Sequence, residues 1–124
     1  MSNTVTVVQV VLGFLFTLGG LFKFIIPYPR YAKLTGWATD FKPGHVHLLG
    51  VLEMGGGIGL IIPLLMPSLT VLATLAGVGM ALYMSGAIAT HLRRSEYLHM
   101  AGILIFFLAP TLFVAYGKLV GIAV

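Results

Sequence analysis

Four apolar stretches, Val5 to Ile26, Val46 to Met66, Leu69 to Thr90 and Met100 to Val120, take up most of this chain of 124 residues. Each has the ~20 residues that a helix needs to cross a bilayer. Hydrocarbon offers no partner for a free backbone amide, so such stretches must be helical. The chain is therefore read as an all-α membrane protein, an antiparallel four-transmembrane-helix bundle forming one domain over residues 1–124. Its charged fraction, 8%, is far below the soluble average of roughly a quarter. The first stretch has no basic region before it and ends at Lys23 and Pro27 without a small-residue cleavage pattern. It is read as a mature helix and not as a signal peptide.

The sequence contains no cysteine, which excludes disulfides, thiolate ligation and a dithiol relay on this polypeptide. Redox work would need a cofactor or a partner. The formal charge of +4 does not indicate nucleic acid, because the basic residues lie mainly in short connections. Up-down threading puts Arg30, Lys33, Lys42, Arg93 and Arg94 on one side and Lys118 near the other. By the positive-inside rule the first side is cytoplasmic and both termini face outward.

The link YPRYAKLTGWATDFKPGH carries Tyr28, Tyr31, Trp37 and Phe41, rings suited to the headgroup layer, and predicts a short interfacial helix between Tyr31 and Ala38. Pro43 and Gly44 mark the start of the second span, and Met66-Pro67-Ser68 makes a tight turn that forces the second and third spans to be antiparallel neighbours. Pro63 and Pro110 interrupt helical segments, where each removes a backbone donor and favours a kink.

At the helical period, Gln9, Gly13, Phe16, Gly20 and Lys23 share one stripe of the first span, and Gly50, Glu53 and Gly57 one of the second. The third span offers Gly79, Tyr83, Gly86 and Thr90, and the fourth His99, Gly102, Phe106, Ala109 and Phe113. Small residues allow helices to approach closely, so these stripes are expected to face one another. Glu53 is the exception that packing does not account for. A carboxylate deep in hydrocarbon costs roughly 2.5 kcal/mol or more, so it must be paired, protonated or wet. Lys23 lies near the same membrane face, and its long side chain is within reach of Glu53. A structural ion pair and a ligand site both satisfy that geometry.

All four histidines, His45, His47, His91 and His99, fall on the cytoplasmic half. His45 and His47 lack helical i, i+4 spacing, and His47 and Glu53 stand about 120° apart on a helix of ~3.6 residues per turn. No HExxH or similar pair occurs, so no metal site is read from the spacing. In THLRRSEYLH the arginines suit the C-terminal dipole of the third span, Ser95 is a candidate cap for the fourth, and His91 and His99 can face one pocket mouth.

The endings LGGLFKF and ALYMSGAIATHLRRSE and the run GVLEMGGGIGLIIP give the sequence a likeness to the DoxX-like family of small four-span membrane proteins. The resemblance covers nearly the whole chain. It implies a compact bundle in a bacterial or archaeal inner membrane, with Lys23, Glu53 and His91 as the functional positions, and it links the chain to quinone-related oxidoreduction. A quinone or other lipophilic small molecule is then the expected ligand, and Tyr83, His47, His99 and Trp37 are expected around it from their location in the spans and the link, not from the resemblance. Two other readings stand beside that one. The chain can be a non-catalytic subunit or assembly factor packing on a redox partner or on its own copies, or a proton-coupled carrier in which Glu53 titrates.

Overall fold

A computed structural model describes residues 3–123. The chain forms α1 (Asn3–Ile25), α2 (Tyr28–Thr35), α3 (Pro43–Leu65), α4 (Thr70–Arg93), α5 (Tyr97–Ile103) and α6 (Ala109–Ala123). Short 3-10 turns occupy Trp37–Asp40 and Pro67–Leu69, and a π-helical turn, Leu104–Leu108, joins α5 to α6 in one rod. That rod, α1, α3 and α4 are each long and apolar enough to span a membrane. Helix α1 packs on α3, α3 on α4, α4 on α6 and α6 on α1, closing an antiparallel four-helix bundle.

The α1–α3 seam sets the register of everything polar. A Cβ added to Gly20 would stand 2.5 Å from the Gly50 carbonyl oxygen, and one added to Gly57 would stand 2.6 Å from that of Gly13. The two backbones therefore touch at two crossings, seven residues apart on each helix, as small residues permit. Gln9, Gly13, Phe16, Gly20 and Lys23 are buried along α1, and Gly50, Glu53 and Gly57 along α3. Beyond the seam, Leu12, Phe16, Leu60, Met80, Met84 and Val114 make the main apolar core.

The other two stripes are corrected. Helix α4 packs through Ala73, Gly77, Met80 and Met84, whereas Gly79, Tyr83, Gly86 and Thr90 line a cavity. On the fourth span His99, Phe106, Ala109 and Phe113 are exposed, and the inward face runs through Thr111, Val114 and Ala115, about one residue later. Apolar side chains are equally at home against lipid and core, so hydropathy does not fix the phase. The π turn, which falls just before Pro110, shifts that phase again. Helix α3, by contrast, runs through Pro63 as continuous helix.

The interfacial helix is Tyr28–Thr35 and not Tyr31 to Ala38. It starts early because Pro29 fits the first helical turn, and it stops at Gly36, whose φ of 77° lies in the left-handed region. The Tyr28 hydroxyl donates to the carbonyls of Ala38 and Phe41, and the buried cluster Tyr31, Ala32, Ala38 and Val46 holds this link down on α3. Ser95 does not cap the fourth span. It takes a φ of 59° beyond the end of α4, Glu96 occupies the cap position, and no side-chain cap bond forms. The Ser95 amide donates to the Leu92 carbonyl and the Glu96 amide to that of His91, the bond pair of a Schellman motif with serine in the usual glycine place.

Candidate intramembrane binding site

Side chains on a helix lean toward its N-terminus. Helix α1 ends, and α3 begins, at the membrane face that carries the aromatic link. Lys23 therefore leans into the membrane and Glu53 leans back toward that face, and the two meet. The Lys23 Nζ donates to Glu53 Oε1 at 2.5 Å, with both side chains about nine-tenths buried. Tyr83 sits ten residues before the end of α4, as Glu53 sits ten residues after the start of α3, so the two share a depth of ~15 Å. The Tyr83 hydroxyl donates to the same oxygen at 3.0 Å. The other carboxylate oxygen lies where a Cβ on Gly19 would have to be. Glu53 thus has an ammonium, a phenol and a glycine notch around it, and the buried charge is paired.

The ammonium of Lys23 also lies 5.8 Å from the centre of the Tyr31 ring and 5.6 Å from that of Trp37. These distances are in the range of cation–π attraction. Trp37 meets Tyr31 and Phe41 edge-on, so the link forms an aromatic roof over the pair.

Beside this polar centre is a cavity of about 1100 Å³, walled by α3 and α4 and roofed by the link. Lys23, Glu53, Tyr83, His91, Trp37 and Tyr31 all contribute to its wall. Apart from these and from Thr90 and Arg93 the wall is apolar, and the exposed residues Leu52, Leu75 and Leu82 along it place its mouth on the lipid-facing side of the bundle. Gly79 and Gly86 keep it wide, since nothing stands within 4 Å of a Cβ built on either.

Of the residues singled out in the sequence, Lys23, Glu53, Tyr83, His91 and Trp37 come together here, whereas His47 and His99 do not. His47 stacks on Phe24 at 5.3 Å, and His99 stacks on His91 at 5.2 Å without lining the cavity. Gly19, Tyr31 and Phe41 belong to the site and were not picked out for it. The LGG preceding Lys23 was the one signal that could have pointed to Gly19.

At the membrane face, His91 Nδ1 lies 2.7 Å from Glu96 Oε1. Arg94 bonds that oxygen at 3.3 Å and Asp40 on the link at 3.0 Å. The bond to His91, with Arg94 alongside, holds the Glu96 carboxyl below its usual range. The bond to Asp40 holds the Arg94 guanidinium above its own.

A ring of four spans with one ion pair inside, opening into an apolar chamber, defines a small integral membrane protein of the pocket-bearing kind. The chain belongs to the DoxX-like family, whose model matches residues 7–114. No curated protein and no solved structure matches it.

Proposed function

We propose that the cavity binds a quinone or another lipophilic small molecule with a hydrogen-bonding head, and that Lys23, Glu53 and His91 handle protons at that head. The observation that carries this reading is the Lys23–Glu53–Tyr83 cluster exposed on the wall of a large apolar chamber whose mouth faces lipid. Ligand sites are mostly apolar with a few convergent polar groups, and an ionisable residue inside a membrane is a functional group by default. A structural pair alone needs no chamber beside it.

In this reading the apolar tail lies between α3 and α4, the ring reaches Trp37 and Tyr31, and a ring oxygen accepts from Lys23 or Tyr83. Reduction of a quinone to a quinol takes two electrons and two protons. Glu53 and His91 supply the proton path, and the electrons come from a membrane redox partner. The setting is a bacterial or archaeal inner membrane with both termini outside, and copies of the chain are free to associate within it.

Trp37 is the single tryptophan, so ligand in the cavity should quench its emission saturably. Protein purified gently should retain a small molecule detectable by mass spectrometry. Added short-chain quinone analogues should quench Trp37 and raise thermal stability, and Glu53→Gln should weaken both responses by tenfold or more. A folded protein that retains nothing, and whose Trp37 ignores a broad panel of lipophilic ligands, would rule the reading out.

The alternative, a non-catalytic subunit or assembly factor, rests on the exposed face of the fourth span, where Phe106, Ala109 and Phe113 have no partner helix within the described chain. A stoichiometric membrane protein that copurifies in mild detergent and is lost on Ala109→Trp would favour it.

A further inference from the structure

We infer that His91, Glu96 and His99 form a binding site for a divalent transition-metal cation of the zinc type at the turn between the third and fourth spans. One ligand atom from each residue can be chosen so that all three lie within 4.8 Å of one another. Two imidazoles and a carboxylate suit zinc and its neighbours, with ligand bonds near 2.0–2.2 Å. His91 and Glu96 are already in contact at 2.7 Å. The remaining gap closes through His99, which is exposed and therefore free to change rotamer.

The backbone builds this arrangement. No spacing along one helix brings these residues together, which is why the sequence pattern gave no metal motif. The Schellman motif at the end of α4 returns the chain over His91, and its last residue is Glu96. Helix α5 then begins at Tyr97 and sets His99 parallel to His91, with an interplanar angle of 11°. His91 is buried and in place before any ion arrives, so only the exposed ring has to be ordered.

Arg94 is the group that opposes a cation, because its Nε lies 3.3 Å from Glu96 Oε1. Asp40 holds the other end of that guanidinium, which leaves the second oxygen of Glu96 outside this set of bonds. Three protein ligands leave one coordination position for water, the pattern of open metal sites. Since His91 also lines the cavity, the ion would fasten the turn at the cavity rim.

The test uses tag-free, chelator-treated protein in mild detergent, titrated calorimetrically with Zn2+ and followed by visible absorption with Co2+. One equivalent should bind, with a Co2+ spectrum of mixed nitrogen and oxygen ligation. His99→Ala and Glu96→Gln should each weaken binding about 100-fold, the upper end of what even an outer-sphere partner is worth. Arg94→Gln should tighten it, and His45→Ala should leave it unchanged. Absence of binding at micromolar Zn2+ overturns the site, as does binding that survives both His99→Ala and Glu96→Gln. His99 is exposed, so its loss should leave helicity and the Trp37 response to quinone analogues intact, which keeps this result separate from the ligand reading above.

Discussion

At Glu53 the cost of burial is met by a second charge, and such pairs behave asymmetrically. Removing one partner from a buried pair costs about 3–5 kcal/mol, whereas replacing both by apolar groups of similar size is often neutral or stabilising. Lys23→Met and Glu53→Leu should therefore each lower the unfolding midpoint strongly. The double variant should recover most of the loss while failing to quench Trp37 with any ligand. A double variant as unstable as the singles would mean that the pair is needed to hold α1 against α3. Sequence reading found both charges because charges are scarce in these spans. It could not find Gly19, since the notch that accepts the second carboxylate oxygen exists only when α1 and α3 cross where they do.

Among the elements, the aromatic link and the α4–α5 turn decide the shape of the site. Gly36, with φ at 77°, ends α2 and aims Trp37 at Lys23. A side chain there costs about 1–2 kcal/mol in left-handed strain. Gly36→Ala should accordingly lower stability by that amount and red-shift Trp37 emission as the roof loosens, with thermal melts and fluorescence as the readouts. In the turn, Glu96 carries a depressed carboxyl, because its bond to His91 favours the charged form. Its stabilising contribution is complete above the ordinary value of 4.5 and is lost as pH falls through the lower folded value. Melting midpoints of the unaltered protein should thus fall as the pH drops below 4.5, and Glu96→Gln should flatten that fall. An unchanged slope would show that the bond to His91 does not survive in solution.

On the scale of the whole molecule, the basic side, the aromatic link and the turn that carries His91 and Glu96 coincide at one membrane face. The chain has no cysteine of its own, so single cysteines can report its orientation. A cysteine at Asn3, which is exposed, should react with an impermeant thiol reagent added to intact cells, and one at Lys42 should react only after the membrane is opened. The reverse pattern would invert the topology and put the aromatic link outside.

Span number, helical class and the polar residues that must find company inside the membrane were all legible in the residues. Length, apolarity and the energy of a charge in oil act locally and leave no freedom. The rotation of the third and fourth spans was not legible, because lipid and core look alike to a leucine. The Phe107 rather than Phe106 face of the last span turns inward through contacts made only once α1, α4 and α6 have met around Phe16 and Met80. The cavity, the glycine notch and the histidine turn are products of that meeting.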